Sequence, residues 1–306
     1  MSKKQPNLAP FLDALAAKYH DSAYLGSDPL QIVHSFHTRE DREIAALFCA
    51  LLAYGNVKQI LRSLQRLFGA MGNAPYLFVR NYNHEAAGVA LRGFKHRFTD
   101  ETDVMCLCWL LNQALQECGT LERFFLKGHD TSEPDVVGAA GRFIENLQKL
   151  SFEPHFGRDA MVTKSSFKHL LPRADKGSAC KRIHLWLRWM IRPADGIDLG
   201  LWTGISPDKL IIPVDTHVLR IAQNLGLVKR NTGSLLVARE ITAALRGADA
   251  GDPVRYDFAL CRLGILKACP TASSLENCRP CELHAVCKKR ASLERRARRS
   301  AVPVQA

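Results

Sequence analysis

Residues 210–220 read Leu-Ile-Ile-Pro-Val-Asp-Thr-His-Val-Leu-Arg, an apolar approach that ends in one acidic residue, Asp215. Asp is a preferred helix N-cap because its carboxylate accepts hydrogen bonds from the unpaired amides of the next turn. Val218, Leu219 and Ile221 then begin an apolar helical face, which predicts a helix that starts just after Asp215. Capping is the ordinary role of such a residue, and a catalytic role requires partners elsewhere in the chain.

The whole chain has the composition of a globular protein with a large positive charge. Its 306 residues, 47% of them hydrophobic, are enough for one large domain or two lobes. The formal charge of +12 favours a polyanionic partner, either nucleic acid or an anionic membrane surface. No segment approaches the roughly 18 uninterrupted apolar residues of a membrane span, and residues 1–6 are not followed by the apolar segment of a secretory signal. We therefore expect a cytoplasmic monomer without a membrane partner.

Apolar residues recur at steps of three and four along much of the chain, the pattern of helices that pack against a core. The alternation of apolar and polar residues that is typical of strands is scarce, so the sequence favours an all-α fold. A break at Tyr54-Gly55-Asn56 interrupts the second helical stretch. The predicted helical ranges are 8–19, 41–72 with that break, 75–79, 85–91, 101–118 and 134–150.

Residues 165–191 predict a helix, a hairpin and a second helix. Leu170-Leu171-Pro172 ends the first element, Gly177 permits a tight turn, and Ile183 begins an apolar stripe on the second helix. A glycine-bearing hairpin directs backbone amides at a phosphate oxygen, which gives a sequence-independent grip on nucleic acid. Gly177, Ser178 and Ala179 would form that grip.

Lys181 lies at the start of the second helix, and two roles stay open for it. It is either a phosphate-contacting or solvated lysine, or an amine nucleophile. A nucleophilic amine must be deprotonated, and we expect the neighbouring cations Lys176 and Arg182 to lower the pKa of Lys181. A carboxylate within reach, such as Asp215, would accept the proton or stabilise positive charge on a sugar.

These residues carry a family resemblance. Gly177-Ser-Ala-Cys-Lys181, then Pro213-Val-Asp-Thr-His-Val218, then four clustered cysteines, follow the order found in helix-hairpin-helix DNA glycosylases of the endonuclease III type. The spacing of 34 residues between Lys181 and Asp215 is more similar to archaeal 8-oxoguanine glycosylases. Residues 186–190 and 210–213 also resemble an uncharacterised bacterial family of unknown function.

The resemblance implies a base excision repair enzyme acting on duplex DNA. Lys181 would attack the sugar C1′ of a flipped-out damaged, oxidised nucleotide, and Asp215 would assist departure of the base. The resulting Schiff base permits strand cleavage, so the enzyme would be both a glycosylase and an abasic-site lyase. The residues that would bind DNA are Lys176, Gly177, Ser178, Ala179 and Arg182, with Asn56 or Tyr54 filling the gap left by the flipped base.

The resemblance also implies two helical lobes with the DNA in the cleft between them. Residues 40–192 would form a helical-bundle lobe that includes the hairpin at about 165–191. Residues 1–39 and 193–290 would form the second lobe, and residues 291–306 a flexible basic tail.

Nine of the ten cysteines divide into two groups, and the tenth, Cys180, lies in the hairpin. Cys269, Cys278, Cys281 and Cys287 lie among Pro, Ser, Asn and Glu, which is no core pattern. Zinc is commonly held by two close cysteine pairs, whereas this loop has one close pair with a single cysteine on either side. The spacing therefore favours a [4Fe-4S] cluster, with zinc as the alternative, and four thiolates suffice without His284. The cysteines assigned to the core are Cys49, Cys106, Cys108, Cys118 and Cys261.

Two other functions remain open. The same hairpin and cluster would serve a DNA- or RNA-binding protein without catalysis, or an iron-sulfur redox sensor. His217 follows Asp215 on the helix start, and we interpret it as structural.

Overall fold

A computed structural model describes residues 7–173, 176–272 and 274–300, and the side chains of residues 299 and 300 lie outside that description. Over these residues the chain is predominantly helical, and its only strands form one two-residue antiparallel pair. The helices are α1 (Ala9–Tyr19), α2 (Leu30–His34), α3 (Arg39–Leu51), α4 (Val57–Ala70), α5 (Pro75–Arg80), α6 (His84–Ala90), α7 (Glu101–Cys118), α8 (Leu121–Leu126), α9 (Val137–Lys149), α10 (Arg158–Thr163), α11 (Ser165–Leu170), α12 (Lys181–Ile191), α13 (Thr216–Leu225), α14 (Leu235–Arg246), α15 (Asp257–Ile265), α16 (Leu275–Cys278) and α17 (Lys288–Ser300). The strands are β1 (Lys95–His96) and β2 (Thr99–Asp100).

The helical character predicted from the sequence is confirmed. The predicted helices at 8–19 and 101–118 correspond to α1 and α7, and the break at 54–56 separates α3 from α4. Gly55 makes this break with φ +101°, and a Cβ there would lie 2.9 Å from Cδ of Arg97. Only glycine tolerates both conditions at this turn.

The basic C-terminal segment is helical where it is described. Residues 288–300 form the helix α17, and the expectation that the tail from residue 291 is flexible stays a prediction. Arg290 donates to the Glu294 carboxylate at 2.6 Å, an i,i+4 pair that stabilises a helix. Residues 301–306 of the predicted tail, like residues 1–6, lie outside the described residues.

Three helices are buried around most of their circumference and form the centre of the molecule. These are α3, α7 and α12, in which consecutive side chains are buried over the ranges 43–51, 103–108 and 183–191 rather than along one stripe. A helix that is apolar all round must be covered on every side by other elements. Contact between α3 and α12 brings the start of α12, with Lys181, next to the turn that follows α3.

The remaining helices pack against these three or against one another. Contacts join α3 to α2 and α5, and join α1 to α15, α15 to α13 and α13 to α17. The buried apolar side chains form one continuous cluster, so the division into two lobes stays a prediction. In the described chain no helix combines the length and apolar composition needed to cross a bilayer.

A buried carboxylate ties the central helix α3 to two other segments. Glu43 is 4% exposed and accepts hydrogen bonds from the amides of Leu121 and Glu122 at 3.0 and 2.9 Å. It also accepts one from the indole Nε1 of Trp202 at 2.7 Å. Three donors thus converge on one side chain, which fixes the start of α8 and the loop after α12 against α3.

We predict that Glu43→Gln lowers the free energy of unfolding by about 2–4 kcal/mol. The amide keeps the size of the side chain but turns an N–H group toward donors that need an acceptor. Urea denaturation followed by circular dichroism measures the change. The matched control is Glu85→Gln on the exposed surface of α6, for which we expect a change within about 0.5 kcal/mol. Equal stability of the two variants would contradict the assigned role of Glu43.

Candidate active site

Lys181 and Asp215 lie on one wall of a cavity of about 670 Å³. The Nζ atom of Lys181 is 3.5 Å from Oδ2 of Asp215, and their side chains are 34% and 15% exposed. Ligand pockets in proteins span about 300–1,000 Å³, so the cavity has room for a nucleotide-sized group. The sequence separates the two residues by 34 positions, and the fold brings them together as the resemblance predicts.

The segment before α12 places Lys181. Gly177 adopts φ +82° while Ala179 does not take a positive φ, so alanine is accommodated at that position. The backbone carbonyl of Gly177 accepts from the amide of Leu235 at 3.0 Å, and Ser178 forms a β-bridge with Ser234. The start of α14 therefore supports this turn. Helices α11 and α12 flank it, but residues 174 and 175 lie outside the described residues, and the helix-hairpin-helix assignment stays a prediction.

Asp215 uses its two carboxylate oxygens for different purposes. Oδ1 accepts from the amides of His217 and Val218 at 2.9 and 2.8 Å, which makes Asp215 the N-cap of α13. Oδ2 faces the Lys181 ammonium group and accepts from Sγ of Cys261 at 3.5 Å. Capping and pairing with the lysine are therefore simultaneous.

The two members of this pair shift each other's pKa. Burial lowers the pKa of Lys181, but the charge of Asp215 acts against it, and the pKa ends above its ordinary value. Burial raises the pKa of Asp215, yet Lys181 and the amide of Val218 bring it below its ordinary value. The expectation that Asp215 stays ionised holds. The expectation that neighbouring cations lower the pKa of Lys181 is wrong.

Arg182 is turned away from Lys181, which explains that error. Its guanidinium group donates to the carbonyls of Leu51, at 2.6 Å, and His169, and lies over the ring of Tyr54. Burial lowers the pKa of Arg182 to about 10. This predicted phosphate contact is thus engaged in holding α12 to α3 and α11. Lys176 also takes part in an interaction within the protein.

Cys261 lines the cavity instead of filling the core as we predicted. Its thiol donates to Oδ2 of Asp215, and burial raises its pKa well above the ordinary value. A neutral thiol is the form that donates to a carboxylate. His217 packs closely against Gly264, since a Cβ added to Gly264 would lie 2.6 Å from Cβ of His217. This close packing agrees with the structural role that we assigned to His217.

The turn after α3 forms the mouth of the cavity. Tyr54 lines it and donates its hydroxyl to the carbonyl of His96 at 2.9 Å, while Asn56 caps α4 by accepting from the amide of Lys58 at 3.0 Å. The tip of the β1–β2 hairpin lies beside this turn. There Phe98 is 58% exposed, stacks on Tyr54 at 6.3 Å between centroids, and has the Arg97 guanidinium over its ring.

Arg188 and Asp257 also line the cavity, and sequence reasoning missed both. Arg188 lies seven residues after Lys181, about two helical turns, and thus on the same face of α12. Its Nη1 donates to Oδ2 of Asp257 on α15. The helical spacing from Lys181 was a usable signal for Arg188, but nothing local pointed to Asp257.

Comparison with known proteins places the chain in a family. The family model described as a protein of unknown function, DUF2400, matches residues 28–266. The chain belongs to the DUF2400 family. Neither a curated protein nor a solved structure matches it. The matched segment of this DUF2400 protein contains Lys181, Arg188, Asp215 and Asp257, and ends before Cys269.

The four predicted cysteine ligands of the DUF2400 protein line one small cavity. In the part of the chain that the structure describes, no group of three or more His, Cys, Asp and Glu side chains is arranged to hold a metal ion. Burial raises the pKa of Cys281 to about 11 and raises that of Cys278. His284 also lines this cavity, with Nδ1 2.9 Å from the carbonyl of Cys278. The metal centre thus stays a prediction.

Helix α13 connects this cysteine loop to Asp215. From the middle of this helix and near its end, Arg220 and Asn224 donate to Sγ of Cys269 at 3.3 and 3.4 Å. The thiol of Cys287 lies 3.6 Å from the carbonyl of Asn224, and Lys288 donates to the carbonyl of Gly226 at 3.1 Å. One end of α13 therefore carries the carboxylate, and the other end holds the loop.

We predict that Asp215→Asn lowers the pKa of Lys181. Asparagine keeps an oxygen for the helix cap but removes the charge that opposes the effect of burial. Because only the neutral amine reacts with acylating reagents, labelling of Lys181 should begin at lower pH in the variant than in the wild type. Mass spectrometry of labelled peptides at a series of pH values measures it. Exposed Lys95 in the same samples is the control, and an unshifted Lys181 profile would contradict the pairing.

Proposed function

We propose that this protein is a DNA glycosylase with abasic-site lyase activity, which removes a damaged base through a Schiff base on Lys181. The observation that carries the proposal is the pairing of Lys181 with Asp215 at 3.5 Å in a cavity of nucleotide size. An amine beside an ionised carboxylate is the arrangement needed to attack a sugar carbon and stabilise the charge that develops there.

The chemistry divides into two steps. The amine of Lys181 bonds to C1′ while the glycosidic bond breaks; the base takes the electron pair and the proton that the amine loses. The sugar ring then opens to give the imine, and loss of a C2′ proton expels the 3′ phosphate. At an abasic site the amine instead condenses with the aldehyde and releases water.

Because the pKa of Lys181 is raised, the proposed mechanism also requires Asp215 to accept a proton from it. In the resting protein the lysine is an ammonium ion, which is no nucleophile. Because Oδ2 of Asp215 faces Nζ directly, the carboxylate is placed to receive the proton before the base takes it. Oδ1 meanwhile stays bound to the start of α13, so the carboxylate keeps its orientation.

The surface around the cavity mouth suits a nucleic acid. Exposed Phe98 with Arg97 over its ring offers a face on which a base stacks, and aromatic stacking is worth about 1–3 kcal/mol per base. The N-cap residue of α12, Cys180, makes no side-chain cap hydrogen bond in the described structure, and the start of this helix lies directly after the Gly177 turn. Amides at a helix start bind phosphate oxygens.

We further propose that Cys269, Cys278, Cys281 and Cys287 hold a [4Fe-4S] cluster, with zinc as the alternative. The N–H groups of Arg220, Asn224 and Arg290 directed at two of the sulfurs fit thiolate ligands, which such donors stabilise. A four-iron cluster gives each thiolate its own iron, so the sulfurs need not converge on one ion. The cluster would fix the loop against α13.

The enzymatic proposal predicts a covalent adduct. Incubation of the protein with an abasic-site duplex and sodium borohydride should reduce the imine to a stable amine and yield a protein–DNA conjugate on a denaturing gel. Lys181→Gln should give none. The matched control Lys149→Gln should still give the adduct, because this exposed lysine of α9 lies outside the cavity.

An adduct that persists in Lys181→Gln would refute the assignment of the nucleophile. Tight duplex binding by a wild-type protein that forms no adduct and releases no base would instead identify a binding protein without catalysis. Undiminished base release by Asp215→Asn would reduce Asp215 to a helix cap.

The cluster proposal predicts a brown protein with broad visible absorbance and equal amounts of iron and acid-labile sulfide. Cys281→Ser should lose much of the iron, while Cys118→Ser, on α7 and outside the loop, should retain it. Elemental analysis of anaerobically purified protein measures both. A colourless protein with stoichiometric zinc would establish the alternative.

A further inference from the structure

Arg188 and Asp257 form a buried ion pair whose hydrogen bonding is incomplete. They are 2% and 3% exposed. Arg188 donates through Nε to Oδ1 of Asp198 at 3.0 Å and through Nη1 to Oδ2 of Asp257. Among the described residues, Nη2 of Arg188 and Oδ1 of Asp257 have no hydrogen-bond partner. The pair thus carries one unused donor and one unused acceptor.

The neighbouring carboxylate Asp198 differs from this pair. It is equally buried, yet both of its oxygens accept hydrogen bonds from arginines. Leaving a buried polar group unpaired costs free energy. Other buried side chains among the described residues, such as Arg262, also have an unpartnered polar atom, but they do not line the cavity that contains Lys181. Arg188 and Asp257 do line it, so their unused donor and acceptor belong to side chains that a ligand in the cavity would meet.

We propose that Arg188 and Asp257 form the polar end of a base pocket and bind the pairing edge of a flipped nucleobase. Nη2 of Arg188 donates to an acceptor on that edge, and Oδ1 of Asp257 accepts from an adjacent N–H group. This inference rests on the proposed function, because it assumes that a nucleotide enters the cavity.

The chemistry of the pair defines the class of base. An arginine only donates and an ionised aspartate only accepts, so the base must present an acceptor beside an intact N–H group. Bases oxidised elsewhere on the ring, such as 8-oxoguanine and thymine glycol, retain such an edge. Alkylation that closes the edge, as in 1,N6-ethenoadenine, removes it. Leu185, Phe258 and Ile265 supply apolar walls for the ring.

The charges around Asp257 support the acceptor role at neutral pH. Burial raises the pKa of Asp257 to about 6 against the opposing effect of Arg188, and the Asp215 carboxylate raises it further while Lys181 lowers it. Near pH 7 the carboxylate is therefore ionised. Below pH 6 it gains a proton and loses its role as an acceptor, so base release should fall relative to abasic-site cleavage.

The test compares two substrates of one sequence. One duplex carries a damaged base from a panel of 8-oxoguanine, thymine glycol and ethenoadenine, and the other carries an abasic site, which has no edge to bind. In Asp257→Asn the ratio of base release to abasic-site cleavage should fall about 10- to 100-fold, the range for losing a hydrogen bond to a charged group. The wild type should release the oxidised bases much faster than ethenoadenine.

A matched variant separates recognition from folding. Asp252→Asn alters another carboxylate of the same arginine network, which Arg192 binds at 2.9 Å, but Asp252 does not line the cavity. Its ratio of the two activities should equal that of the wild type. A folding defect lowers both activities together and leaves the ratio intact.

The outcomes separate the two proposals. A wild type that neither cleaves the abasic duplex nor forms an adduct would overturn the proposed function. Abasic-site cleavage with an unchanged ratio in Asp257→Asn would overturn only the role of the pair and make it structural. The role of the pair would also be overturned if the wild type released ethenoadenine as fast as the oxidised bases. The same holds if the wild type cleaved abasic DNA but released no base from the panel.

Discussion

Burial of two arginines on one helix is the constraint on which the site depends. Arg188 lies on α12 and Arg192 directly after its last residue, both inside the core, where an unpaired cation costs several kcal/mol. Each arginine therefore needs a carboxylate partner, and these partners lie in the loop after α12 and on α15. Pairing with Asp198 and Asp257 brings α15 against α12. The cavity is the space left between these helices and the start of α13.

Asp215 shows how a local rule and a tertiary contact act on one side chain. The cap requires only that the residue precede a helix, and many polar residues satisfy it. The proposed function depends on the second oxygen, because that oxygen faces a lysine from a different helix. The cap fixes the carboxylate without using that oxygen. The hydrogen bonds of the helix cap thereby stabilise the ionised Asp215 carboxylate. Its position is partly buried, and burial alone would raise its pKa.

Periodicity and capping rules predicted what is local, including α1, α7 and the cap at Asp215. These rules failed for side chains whose surroundings are formed by segments distant in the sequence. Cys261 lies on an apolar stripe, and periodicity cannot distinguish a residue facing the core from one facing a cavity in the core. Arg182 follows Lys181 in sequence, but its guanidinium group bonds to Leu51 and His169. Phe98 lies at a hairpin with two-residue strands, too short for an alternating pattern.

The cysteine loop and the candidate active site share α13, and this bears on how the loop acts. Its contacts reach Arg220 in the middle of the helix, Asn224 near its end and Gly226 just after it. Asp215 precedes the helix, so these contacts lie about 8 to 16 Å from it along the helix axis. A rigid helix transmits position over that distance, and none of these contacts involves Asp215. The loop is therefore placed to hold α13, and hence Asp215, in position opposite Lys181.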